Sequence, residues 1–229
     1  MRPAIRRLCM ATLAAALVHA GVGGEAAEAT RELPAAALSR PTTATRPVDA
    51  RGFIQRWLVL EPITVPGQLT EGPVKAAIQG AQLPGSPTNL PREGEVFEHN
   101  GPLRWHAVDT GDYNLNLYHF AWMLSKPTSN VLFWVVTTID APVEMRDVRL
   151  AIGSNAASEW WLNGQSVITL YNDRQTVIDD GVSKRLTLKK GRNVIRAAII
   201  NAGGATDFCA RFLDSNDQPL TGLTVSLQP

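Results

Sequence analysis

Tyr171-Asn172-Asp173-Arg174 sets an aromatic ring, an amide, a carboxylate and a guanidinium side by side, directly after an apolar run. Saccharide sites use that mixture: a flat apolar face for the sugar ring, and polar groups beside it for the hydroxyls. Asn and Asp are also ordinary turn formers, and a neighbouring Arg can pair locally, so the same loop has a purely structural reading. Trp160-Trp161 is the second candidate. Adjacent side chains of a strand face opposite ways, so one indole enters a given sheet interface and the other stacks on a ligand or is covered by further chain. The ligand-binding residues expected from sequence are therefore Trp161, Tyr171, Asp173 and Arg174.

Spacings that would signal catalysis are missing. His99, His106 and His119 stand apart, without the H-E-x-x-H or cysteine spacing of a zinc site. Gly85-Ser86-Pro87 and Gly153-Ser154-Asn155 lack the second glycine of a nucleophile elbow. Asp179-Asp180 and the pair Asp214 and Asp217 offer carboxylates for a structural calcium ion, but their spacing matches no defined calcium loop. Gly203-Gly204 precedes no helix and cannot form a phosphate cradle. Neither a cofactor nor a metal is expected, and the chain reads as a non-enzyme. A hydrolase with a carboxylate pair that sequence cannot identify is the weakest alternative. The 22 Lys and Arg against 21 Asp and Glu give no concentrated positive field, so nucleic acid is not an expected partner.

The N-terminus reads as an export signal over residues 1–26. Arg2, Arg6 and Arg7 precede the apolar run Leu8 to Ala20, followed by small residues. That run is too short to cross a bilayer, and no transmembrane segment is expected once the signal is removed. The expected location is extracytoplasmic, periplasmic or secreted. Removal of the signal also takes Cys9, leaving Cys209 without a disulfide partner, in an apolar run that suits a buried thiol. Residues 27–50 are rich in Ala, Thr, Pro, Arg and Glu without apolar periodicity, and read as a flexible linker.

Residues 51–229 carry the elements that must position any site. Short β-branched and aromatic runs alternate with Gly, Pro, Asn and Asp clusters, which predicts an all-β domain. Strands are expected near Phe53 to Leu60, Gly94 to Phe97, Leu103 to Val108, Tyr118 to Leu124, Val131 to Ile139, Arg146 to Ile152, Glu159 to Leu162, Ser166 to Leu170, Ser183 to Leu188, Asn193 to Asn201, Phe208 to Leu213 and Leu223 to Leu227. Val131 to Val136 is apolar on both faces, as in a central strand covered on each side. Asn163-Gly164 supplies the positive φ angles of a type I′ hairpin turn, and Lys190-Gly191 marks a second reversal. The stretch from Gly67 to Pro91 reads mainly as loop, with a short helix at Val74 to Gln79.

The order Trp57-Leu58-Val59-Leu60-Glu61-Pro62, Leu103-Arg104-Trp105, Trp161-Leu162-Asn163-Gly164, Leu186 to Asn193 and Phe208 to Phe212 resembles the galactose-binding-domain-like β-sandwich. More narrowly, it is similar to the jelly-roll accessory modules of secreted bacterial glycoside hydrolases and esterases. The resemblance implies a two-sheet antiparallel β-sandwich of jelly-roll type, serving as a carbohydrate-binding or accessory module with a glycan or polysaccharide partner. A structural or protein-interaction domain without a sugar site is the alternative. Asn155-Ala156-Ala157-Ser158 stands where such modules often carry an acidic, glycine-containing turn, which removes the basis for an inherited metal or ligand role at that loop.

Overall fold

The computed structural model describes residues 38–228. The expected signal over 1–26 and the first part of the expected linker, 27–37, lie outside the described residues. In chain order the elements begin with β1 (Leu38–Ser39), β2 (Thr45–Pro47), β3 (Arg56–Leu60), β4 (Ile63–Thr64) and α1 (Glu71–Gly80). Next come β5 (Val96–Glu98), β6 (Pro102–Thr110), β7 (Leu115–Asn116), α2 (Leu117–Met123), β8 (Val131–Ala141) and β9 (Met145–Ser154). Then follow β10 (Ala157–Leu162), β11 (Gln165–Leu170), β12 (Gly181–Val182), β13 (Leu186–Leu188), β14 (Gly191–Asn201), β15 (Asp207–Leu213) and β16 (Thr224–Ser226).

Among the described residues all strand pairs are antiparallel, and they form two sheets. The larger runs β1-β6-β3-β8-β14-β10-β11, with β4 and β16 also on β8, β2 on β16 and β5 on β6. The smaller runs β12-β9-β15-β7, with β13 on β9. The chain is an all-β sandwich. Its central strand is β8, paired along its length with β14 and on its other edge with β4, β3 and β16 in turn.

Because alternate residues of β8 are apolar on each side, both faces of the large sheet need cover. Phe133, Val135 and Ile139 face the small sheet, in a core shared with Trp57, Trp160, Phe208 and Phe212. Trp57 and Phe208 meet edge to face at 5.0 Å, and Trp160 stands 5.6 Å from the same phenyl ring. Leu132, Trp134 and Val136 face the other way, into a second core closed by Val74 and Ile78 of α1 and by Leu83 and Leu90 beyond it. The helix expected near Val74 to Gln79 thus becomes the outer cover, its buried residues spaced one turn apart.

Both turns form as expected. Asn163 and Gly164 take φ of 51° and 85°. The Asn163 carboxamide ties this hairpin to the next reversal: its oxygen accepts from the Val194 N–H at 2.9 Å, and its nitrogen donates to Asn193 Oδ1 at 3.0 Å. The Lys190-Gly191 reversal carries the chain from β13 in the small sheet to β14 in the large one, with Gly191 at φ 79°.

Three expectations need correction. Tyr118 to Leu124 is helical: Leu117, Phe120 and Ala121 are buried at helical spacing, and Asn116 caps the helix by accepting from the His119 N–H at 2.8 Å. Ser183 to Leu188 is interrupted, because Ser183 turns its hydroxyl to the backbone, accepting from the Leu150 N–H and donating to the Lys184 carbonyl. Within the expected linker, residues 38–47 supply β1 and β2, paired with β6 and β16. A buried charge holds this segment. Arg56 makes a two-pronged pair with Asp109 at 2.8 and 2.9 Å and donates to the Thr43 carbonyl at 2.7 Å. Cys209 is buried and free, with burial pushing its thiol up to about 12.

Trp160 is fully buried between the sheets and Trp161 half-buried outside them. Trp160→Ala is therefore expected to cost about 3–5 kcal/mol of unfolding free energy. Trp161→Ala is expected to cost less than half as much, with urea denaturation of the two variants as the check.

Candidate functional site

The outer face of the large sheet leaves a groove of about 340 Å³ between α1 and the β10–β11 hairpin. Trp161 forms its floor, with Trp134 of β8 behind it at a ring separation of 5.6 Å and a 36° tilt. Trp134 is itself fixed, because its indole N–H donates to the Ala81 carbonyl at the end of α1 at 2.8 Å. Glu159 lies two positions before Trp161 and so shares its face; its carboxylate accepts from the Ser166 hydroxyl at 2.7 Å. Arg196 of β14 stands directly opposite Trp161 in the strand register. Lys75, Gln79 and Gln82 come from the helix side. Pro87 closes the hairpin end, where a Cβ on Gly164 would come within 3.2 Å of it. An indole platform ringed by one carboxylate, two amides, an ammonium and a guanidinium can stack on a ring and hydrogen-bond its substituents.

The structure separates the four residues expected from sequence. Trp161 lines the groove. Tyr171 packs on the same outer core and reaches Lys75, whose ammonium is held above its ordinary pKa chiefly by the hydrogen bond and charge of Glu71, then by Tyr171. Asp173 is exposed. Arg174 pairs with Asp180, in a loop that leads to the small sheet and is anchored there by Thr176 on Asp207 and by Arg211 on Asp179. The carboxylates considered for calcium are thereby engaged: Asp179 and Asp180 with arginines, Asp217 with Arg185 at 3.1 Å, and Asp214 with turn amides.

Glu159, Trp134, Arg196 and the α1 side chains are site residues that sequence reading passed over. Two signals were present: Glu159 shares Trp161's strand face by alternation, and Arg196 is the lone charge in the apolar run Val194 to Ile200.

No family model matches the sequence, and no curated protein matches it. Among solved structures, the chain is similar to the PA14 sugar-binding domain from an RTX adhesin, at 11% identity and a TM-score of 0.41, over 73% of this chain and 94% of that one. It is similar to the PA14 domain of the MpAFP antifreeze protein at 13% identity and a TM-score of 0.39, over 72% and 90% of the two chains. A β-glucosidase from Kluyveromyces marxianus in complex with glucose shares 17% identity over 69% of this chain, with a TM-score of 0.39. This chain spans 17% of that enzyme's length.

A second cleft, of about 380 Å³, lies between α2 and β6, with His106, Phe120 and Met123 in its wall. Beside it, buried Glu61 accepts from Lys126 at 2.9 Å and meets His106 Nε2 at 3.2 Å. Burial pushes the Glu61 carboxyl up, yet the hydrogen bonds from Lys126 and His106 and the Lys126 charge together outweigh it and hold the pKa below the ordinary value. A carboxylate easier to ionise in the folded chain than in the unfolded one stabilises the fold above its unfolded pKa, and that contribution is lost as the pH falls through the folded one. Urea midpoints of the protein and of Glu61→Gln are therefore expected to differ clearly at neutral pH and to converge well below pH 4.5, the group's ordinary value.

Proposed function

We propose that this chain is an exported, non-catalytic β-sandwich module of galactose-binding-like, jelly-roll type that binds carbohydrate and serves carbohydrate-active proteins as an accessory. The observation that carries the reading is the half-exposed Trp161 indole, braced by Trp134 and ringed by Glu159, Arg196 and the amides of Gln79 and Gln82. Sugar rings present one apolar face and several hydroxyls. Trp161 meets the face, Glu159 accepts from hydroxyls, and the amides both donate and accept.

Holding rather than cleaving follows from the carboxylates. Hydrolysis of a glycosidic bond by the common mechanisms needs two carboxyl groups flanking that bond. Glu159 is the single carboxylate lining the groove among the described residues. Export rests on the basic and apolar N-terminal stretch, and it would place the module where polysaccharide is met.

A glycan array followed by calorimetric titration of the captured oligosaccharide tests the reading. Binding is expected to perturb tryptophan fluorescence and to weaken at least about tenfold in Trp161→Ala, the loss of a stacking contact worth about 1.4 kcal/mol. Binding that survives Trp161→Ala unchanged, or an array that captures no glycan, would overturn it.

A further inference from the structure

We infer that the saccharide taken by this groove is anionic, its carboxylate or sulfate group pairing with the guanidinium of Arg196; the inference rests on the carbohydrate reading above. Arg196 is only 8% exposed, yet among the described residues it forms no ion pair with any carboxylate. Its Nη2 makes two long hydrogen bonds, 3.4 Å to the Ser86 carbonyl and 3.3 Å to the Asn89 carbonyl, and its buried Nε has no partner.

Arg56 shows what this fold does with a buried guanidinium that has a structural task. That group is 2% exposed and is matched on both prongs by Asp109. A charge taken out of water without a counter-ion is costly, and burial does push the Arg196 pKa below its ordinary value. An anion arriving in the groove would supply the missing partner, and a guanidinium fork suits the planar oxygens of a carboxylate.

The surroundings fit the same ligand. Arg196 also lines a neighbouring cleft of about 420 Å³, on the other side of the Leu83 to Pro91 segment, whose charged lining is Arg92, Arg192 and Glu95 besides Arg196. Glu159 pairs in register with Ala198, two residues along β14 from Arg196. The groove thus has one end that attracts an anion and one that accepts from hydroxyls, which fixes a direction for an acidic sugar stacked on Trp161.

The test titrates the full chain with a galacturonate oligosaccharide and its methyl ester, and with a sulfated galactan oligosaccharide and its desulfated form. Each pair keeps the rings and changes the charge. At least one acidic form is expected to bind about tenfold or more tighter than its neutral counterpart, the scale of one charge-assisted contact. Arg196→Gln is expected to erase that preference, so that the acidic and neutral forms bind alike, and Arg196→Lys, which keeps the charge without the fork, to retain part of it. Near-ultraviolet circular dichroism confirms that each variant is folded. Equal binding of acidic and neutral forms, both lost in Trp161→Ala, overturns the anion inference and leaves the carbohydrate reading standing. So does failure of all four probes while neutral glycans are captured on an array. An acid preference that persists in Arg196→Gln overturns it as well, leaving Arg196 as a tie for the Ser86 to Asn89 loop. Capture of no saccharide at all overturns both.

Discussion

A sheet whose middle strand is apolar on both sides cannot leave either face to water, and that constraint shapes the whole molecule. Phe133 and Val135 of β8 draw the small sheet onto one face; Leu132, Trp134 and Val136 draw α1 and the following segment onto the other. Burying such side chains is worth roughly 1.5–3 kcal/mol each, so neither cover is optional. The second cover is shorter than the sheet it protects. Where α1 stops and β10–β11 continues, a gap remains, and the half-exposed Trp161 stands in it. The candidate site is a by-product of incomplete cover, kept open at its floor by an indole and at its rim by polar side chains.

Two buried arginines divide the electrostatic work of the fold. Arg56 joins β3 to β6 through Asp109 and fastens the chain near Thr43, so the N-terminal strands are held by a matched pair. Such a pair owes its worth less to net attraction than to the penalty for breaking it. Arg196 lacks that match. Its location on the outer face, opposite Trp161, gives it access to the groove, whereas Arg56 lies between chain segments that give every one of its nitrogens a partner.

What could be read from sequence was whatever depends on neighbours along the chain. Asn163-Gly164 dictates a hairpin because two successive positive φ angles suit few other residues. Trp160 and Trp161 had to part company because a strand alternates, and they did. Local signals also mislead when two periods compete. Tyr118 to Leu124 is aromatic and apolar enough for a strand, but the burial of Leu117, Phe120 and Ala121 follows a helical period, and Asn116 supplies the cap. Residues 38–47 hold few apolar residues to offset their ordering entropy, and much of what orders them lies outside the segment, in pairing with β6 and β16 and in the Arg56–Asp109 pair. The groove was illegible for the same reason: Lys75, Trp134, Glu159 and Arg196 come from α1, β8, β10 and β14, and only the sheet order brings them together. The loop at Tyr171 to Arg174 had attractive composition, but its last two residues belong to a crossover toward the other sheet.

The bracing of the platform bears on how the site would work. Trp161 rests on Trp134, and Trp134 is tethered to Ala81, so the stacking surface is in place before any ligand arrives and little side-chain entropy remains to be lost on binding. The opposite wall is set differently. The Ser86 and Asn89 carbonyls are held to β14 by the Arg196 guanidinium through bonds near the long end of the normal range. A group that drew that guanidinium toward itself would compete with those carbonyls. Arg196 lines both clefts, so one side chain is shared by the two cavities.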